Sequence, residues 1–251
     1  MNQERDQSYS EISLVDLATI FVRRIWLFVV VLGVFVAAGI AVALLQPEQY
    51  AYVSLYQIAE KATEEPVETP ERVIAVLQSH ELPLLETSYK SERGERLPFS
   101  VRFSNPEGTS LVRISSEAER RIASDVKAIH SALIQRLSEK DNRLMGVIRG
   151  GLENRIASVS TTLDSLSKAP EAGQAVAEAI RQKVELEGIL DALKPGESVV
   201  VARESVEKVA PNRKLIAILT VVLGFVAAFV AVYFAEFASL VREKLKEQKA
   251  R

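Results

Sequence analysis

Two long runs of uncharged, mostly apolar positions bracket the chain, and between them the hydrophobic pattern switches from alternation to helical spacing. From Ile25 to Leu45 there are 21 residues without a charge, 14 of them Leu, Ile, Val or Phe. About 20 helical residues cross a bilayer's hydrocarbon core, whereas the apolar region of a secretion signal spans about 7 to 15. The length therefore predicts a permanent membrane helix, with an insertion term of roughly −4 to −8 kcal/mol at about −0.3 to −0.6 kcal/mol per strongly apolar residue. Ala41-Val42-Ala43 has the small-x-small form of a cleavage site, but the preceding segment carries Glu4, Asp6, Glu11 and Asp16, unlike a signal peptide's basic lead. A second run, Leu215 to Phe234, is 20 residues long and holds Thr220 and the Tyr233 hydroxyl as its polar groups. Two spans follow, at 25–45 and 215–234, with a polar body between them.

Outside the spans the periods are informative. Ser13-x-x-Asp16 opens a stretch in which Leu14, Leu17, Phe21 and Ile25 recur at helical spacing, predicting a short helix that runs into the first span. Tyr50 to Ala59, aromatic and β-branched, reads as a strand. Pro66 and Pro70 mark a loop, and Val73, Ile74 and Leu77 share one face of a helix expected to end before Pro83. Phe99, Val101 and Phe103 alternate with Ser100, Arg102 and Ser104; Asn105-Pro106-Glu107-Gly108 suits a type I turn, and Leu111 to Ser115 supplies the second arm of a hairpin. From Glu117 to Lys168 apolar residues recur at steps of three and four, a second helical stretch covers Glu171 to Leu193, Pro195-Gly196 stops it, and Ser198 to Val206 reads as a strand.

Strand, helix, strand, strand, long helices, strand is the order of a ferredoxin-like split βαβ arrangement with its second helix expanded into a protrusion. Such a sheet places its first and last strands side by side. One straight helix from 117 to 168 would rise about 78 Å, and a return over 171–193 covers only about 35 Å. That mismatch predicts a reversal at Gly150-Gly151; the competing reading keeps the helix continuous and turns at Pro170. The fold class expected is an α+β membrane protein, with two transmembrane helices flanking an extracytoplasmic ferredoxin-like base, which the resemblance given below makes periplasmic. The expected domains are a cytoplasmic N-terminal segment 1–24, the first span 25–45, a periplasmic domain 46–214 (base 46–116 and 195–210, helical protrusion 117–194), the second span 215–234 and a cytoplasmic tail 235–251.

Charge sets the orientation. Arg5, Arg23 and Arg24 precede the first span, and Arg242, Lys244, Lys246, Lys249 and Arg251 follow the second. By the positive-inside rule both ends are cytoplasmic, while the long middle segment counts little. Arg213 and Lys214 stand on the opposite side of the second span, where they can snorkel to lipid phosphates. Charge in the middle segment is nearly balanced, which gives no case for nucleic acid. The chain has no cysteine, so an extracytoplasmic domain would hold together by packing or assembly rather than disulfides.

Chemistry is hard to find in this pattern. Neither a P-loop nor a G-x-G-x-x-G motif occurs. His80 and His130 are too far apart in sequence to read as a metal site, and His130 is expected to be a helix-surface or packing residue, with His80 at a helix end. Carboxylate pairs such as Glu64-Glu65 and Glu117-Glu119 read as solvated. No catalytic, cofactor-binding or metal-ligating residue is assigned, and the chain is not expected to be an enzyme. In the spans, Gly39 and Ala43, and Gly224 and Ala228, have the small-xxx-small spacing that lets helices approach closely in lipid.

The segments 11–31, 50–60 and 206–234 resemble the beginning, first strand and end of the chain-length determinant (Wzz-type) polysaccharide co-polymerases. The Pro211-Asn212-Arg213-Lys214-Leu215 junction is similar to that family's proline-containing, basic entry to the second span, although the family usually has more prolines there and a longer outer domain. The resemblance implies an inner-membrane protein that forms homo-oligomeric rings. It also implies action with a Wzy-type polymerase to set the length of a surface polysaccharide such as the O-antigen of lipopolysaccharide. The implied partners are further copies of the chain, the membrane polymerase, membrane lipids and the growing polysaccharide, with no cofactor. An alternative with the same two-span plan is a modulator of a tyrosine kinase in capsule or exopolysaccharide export.

Overall fold

The computed structural model describes residues 14–62, 65–168 and 173–249. These form two compact units, one from Glu48 to Ala210 and one from the segments on either side of it.

The central unit is built on a four-stranded antiparallel sheet of β1 (Gln49–Gln57), β4 (Val101–Ser104), β5 (Leu111–Ala118) and β6 (Glu197–Ala210), in the order β4-β5-β1-β6. Alternation decides its faces. Tyr52, Ser54 and Tyr56 of β1 and Val112, Ile114, Ser116 and Ala118 of β5 are buried, while the residues between them point to the opposite side. The first and last strands lie side by side, with Gln49 opposite Ala210 and Gln57 opposite Glu197. Between β4 and β5 the chain turns as expected: Gly108 takes φ +69, and the Asn105 side-chain amide donates to the Thr109 and Leu111 carbonyls.

One row of helices covers the buried face. α3 (Pro70–Val76) starts at Thr69, whose Oγ1 accepts the Arg72 N–H at 3.4 Å, with Pro70 in the first turn. It does not end before Pro83. The helix passes through a π turn at 77–81 directly into α4 (Leu82–Arg93), with the Leu82 N–H bonded to the Leu77 carbonyl. Proline removes one helical donor and crowds the preceding turn; the widened turn just ahead of Pro83 relieves both, so the path continues. Gly94, at φ +77, closes α4. Val73 and Leu77 pack with Tyr56, Phe103, Val112 and Ile114 in the main core.

α5 (Ala123–Leu166) is continuous for 44 residues. The expected reversal at Gly150-Gly151 does not occur. The length argument erred in assigning the whole helix to the protrusion: Val126, Ile129, Leu133 and Leu137 lie in the sheet's core, so the first part of α5 crosses the base and needs no returning helix. The expected start of the protrusion at 117 is likewise too early, because β5 runs to Ala118. Residues 142–166 rise about 37 Å and α6 (Gly173–Asp191) covers about 28 Å, so the two legs nearly match. The alternative turning point, Pro170, lies outside the described residues. Met145 and Leu152 meet Leu193, Leu186 and Leu190 in a second core that also takes in Ala59 and Val67, near the short hairpin of β2 (Glu60–Ala62) and β3 (Glu65–Pro66).

Flanking this domain in sequence, α1 (Leu14–Arg23), α2 (Ile25–Leu45) and α7 (Arg213–Lys249) form the other unit. The helical pattern ahead of the first span is present as α1, separated from α2 by a break at Arg24, and Ser13 of the proposed cap lies outside the described residues. Asn212 Oδ1 accepts the Leu215 N–H at 3.2 Å, so the residue after Pro211 caps α7. α2 and α7 are long and apolar enough to cross a membrane.

The glycines inside α5 give a direct check. A Cβ at Gly150 or Gly151 would meet nothing within 4 Å. Each Gly→Ala change there should stabilise the central domain by up to about 1 kcal/mol, read as a raised midpoint in denaturant; a loss of stability would restore the reversal.

Candidate functional site: an anchoring helix pair and a domain held by buried polar links

In the helix pair, small residues sit where the backbones approach. Gly39, Ala43, Gly224 and Ala228 are all buried. A Cβ on Gly39 would collide with Thr220, and one on Gly224 would lie 2.8 Å from the Phe35 Cβ. The small-xxx-small spacing of both spans thus marks the packed seam between them. Next to it Phe21, Phe28, Phe225 and Phe229 form a cluster with ring centroids 5.0–5.2 Å apart. The outward residues stay uncovered, among them Trp26, Leu45, Ile218 and Phe234.

Glu236 closes one end of the pair. It is paired with both Arg23 and Arg24, the latter at 2.7 Å, and Arg24 also donates to Ser239 Oγ at 2.9 Å. Sequence reading took the arginines as topology markers and did not connect them to Glu236. The available signal was an acid two residues beyond the second apolar run with two arginines just ahead of the first.

Within the central domain His130 is fully buried, the packing rather than the helix-surface alternative of the expectation, and each ring nitrogen has a partner. Nδ1 lies 2.8 Å from Ser54 Oγ on β1 and Nε2 lies 2.9 Å from Ser116 Oγ on β5. Ser54 Oγ also accepts the Ala202 N–H from β6 at 2.7 Å. A serine hydroxyl donates once and accepts twice, so Ser54 can meet Nδ1 of either neutral tautomer while it accepts the Ala202 N–H, and Ser116 can meet Nε2 in the complementary role. Ala202 sits at φ +44 in an extra residue of β6: β1 advances from Val53 to Leu55 while β6 moves from Arg203 to Val200. The helix, through one imidazole, thus fastens the two central strands and the bulge of a third.

A second polar link lies farther along α5. Asp141 Oδ2 accepts the Tyr56 hydroxyl and the Ala59 N–H, both at 3.0 Å. Gly196 passes so close that a Cβ there would collide with this carboxylate and the phenol. Burial is the main cause raising the Asp141 carboxyl above the usual carboxylate range, and it raises the Tyr56 phenol too. Beside them Lys140 Nζ lies 2.5 Å from Glu68 Oε2, tying the segment after β3 to α5.

The other sequence candidates do not converge. His80 is exposed and contacts Glu81 at 3.0 Å. Glu117 and Glu119 pair separately with Arg102 and Arg121, and Glu64 lies outside the described residues. No cluster of three or more His, Asp or Glu that could hold a metal occurs among the described residues.

Burial pushes the His130 imidazole down from 6.5 to about 4. Between those values the unfolded chain binds more protons than the folded one, so this contribution to stability is complete above pH 6.5 and is lost as pH falls toward 4. The stability advantage of the parent over His130→Leu should shrink by about 3 kcal/mol between pH 7 and pH 4 in denaturant titrations; a constant difference would contradict the buried neutral ring.

A solved full-length bacterial polysaccharide co-polymerase aligns with 95% of this chain and 100% of its own at 12% identity, with a TM-score of 0.44. The search of curated proteins found no match. Chain length determinants are regulators rather than enzymes, and it is the Wzz chain length determinant family that this chain matches, over residues 10–87, the segment containing α1, α2, β1 and the start of α4.

Proposed function

We propose that this chain is an inner-membrane co-polymerase that sets the length of a surface polysaccharide, the O-antigen of lipopolysaccharide or a related polymer, together with a Wzy-type polymerase. The family match over residues 10–87 carries the reading. In this account α2 and α7 span the membrane, both termini are cytoplasmic, and residues 46–214 are periplasmic, with Arg23 and Arg24 ahead of α2 and Arg242, Lys244 and Lys246 in the last turns of α7 supporting the orientation. The base is ferredoxin-like, a reading supported by the antiparallel order β4-β5-β1-β6 with helices ahead of β4 and β6.

Regulation without bond-making requires a shape that other molecules can read. The helical protrusion offers one: Val147 on α5 and Ile180, Val184 and Ile189 on α6 are exposed apolar residues on an otherwise polar helix pair. In the proposed homo-oligomeric ring, neighbouring protomers cover these residues, since apolar side chains gathered on an extended element are the usual material of an interface. The membrane pair would meet the polymerase in lipid through its uncovered outer faces.

Deleting the gene should leave polymer on the surface but remove its preferred length, which gel separation of the surface polysaccharide reads directly. Complete loss of polymer, or an unchanged length distribution, would contradict the proposal.

A further inference from the structure

Among the described residues of the central unit helices cover one face of the sheet, and the middle of the other face carries arginines. Buried side chains on β1, β4 and β5 all belong to the helix-covered core, so their sequence neighbours occupy the open side. Two cross-strand rows can be read from the register. One runs Arg102, Ser115, Val53, Arg203 from β4 to β6; the next runs Ser104, Arg113, Leu55, Val200. The bulge at Ala202 puts both Arg203 and Val200 on this side, because a regular strand would place residues three apart on opposite faces.

These two rows contain three arginines and no carboxylate, and the rows flanking them on the same face carry one acid each, Glu117 opposite Ala51 and Glu197 opposite Gln57. Arg102 is paired with Glu117 of the adjacent row, but Arg113 and Arg203 are exposed and have no ion-pair partner among the described residues. At about 4.8 Å per strand, Arg102 and Arg203 stand about 14 Å apart across the sheet. Between them lie small hydroxyl and aliphatic side chains.

We propose that this open face binds an acidic polysaccharide strand, its sugar carboxylates held by Arg113 and Arg203 and its chain lying across Val53, Leu55 and Ser115. The proposal rests on the co-polymerase reading and deepens it by naming the ligand's chemical class and its place on the domain. Guanidinium groups match carboxylates with paired, charge-assisted hydrogen bonds, and separate arginines on a shallow face suit charges spaced along an extended polymer. The two rows hold no aromatic anchor of the kind that dominates protein interfaces. They also lack the bulky apolar wedge and clustered lysines of a membrane-surface binder.

The test uses the full chain in a neutral detergent, with oligogalacturonate as the probe and dextran oligomers of similar size as the neutral comparison, measured by calorimetry. Oligogalacturonate should bind saturably and more weakly as salt rises, and dextran should not bind. Arg113→Glu/Arg203→Glu should weaken binding roughly tenfold or more. Arg113→Gln/Arg203→Gln, the milder change, should weaken it in the same direction, while Arg149→Glu on the protrusion should leave it unchanged. Equal binding of dextran, insensitivity to both double variants, or an equal loss in Arg149→Glu would overturn the proposal. Poly-glutamate binding as tightly through the same arginines would assign the face to an acidic protein. Displacement of the probe by phosphatidylglycerol would assign it to lipid, and either result would overturn the saccharide reading. Because the assay is independent of the gel pattern in the deletion strain, its failure leaves the chain-length reading intact.

Discussion

Pairing between the first and last strands is the constraint on which the central domain depends. β1 is hydrogen-bonded on one side to β5 and on the other to β6, so it is the strand through which the end of the domain is joined to the rest of the sheet. Its partner β6 is an edge strand with several register shifts, and an irregular edge has little to fix its register by itself. The buried polar groups supply what the apolar pattern lacks. Ser54 holds the bulge N–H of Ala202, His130 holds Ser54, and Ser116 holds the other side of the ring. A one-residue slip of β6 would leave the Ser54 link without its donor, and an unpaired buried polar group costs about 1–3 kcal/mol. The sheet is therefore specified by polar satisfaction where it is not specified by hydrophobic alternation.

The helix pair solves a different problem with different means. In lipid, apolar side chains gain nothing from leaving one another's neighbours, so contact depends on close approach. Gly39 against Thr220 and Gly224 against Phe35 supply that approach, and Glu236 with Arg23 and Arg24 terminates it where charge is tolerated. Neither device has a reacting group. What the described residues leave uncovered is an apolar helix pair and the exposed apolar residues Val147, Ile180, Val184 and Ile189 of the helical protrusion.

The readable parts of the sequence were those governed by local rules. The two long apolar helices, the alternation in β1 and β5, the turn at 105–108 and the small residues at the seam of the helix pair each follow from neighbours a few positions apart, and the fold contains them. The errors arose where a local preference met a longer-range demand. Gly150 and Gly151 weaken a helix, but α5 is fixed at one end by the sheet core and farther along by α6, and it tolerates them. Pro83 would end a helix, but the π turn ahead of it absorbs the conflict. For His130 the expectation of a helix-surface or packing residue left two places open and the structure takes the packed one; its partners, Ser54 and Ser116, lie 76 and 14 positions away and nothing near it announces them. The alignment of Arg203 with Arg102 and Arg113 was equally hidden, since it depends on a bulge that a strand pattern does not reveal.

The same pairing gives the account its most direct test. The chain contains no cysteine, so Gln49→Cys with Ala210→Cys places two thiols at one cross-strand position without competition. Directly opposed Cβ atoms in an antiparallel pair are about 4.5–5.5 Å apart, close enough for a disulfide after a small adjustment. Oxidation of the full-length protein in membranes should convert the monomer to a faster-migrating, reducible species on a denaturing gel. A monomer that remains unlinked, or that forms only reducible dimers, would mean that the ends of the domain do not meet and would contradict the fold on which this account is built.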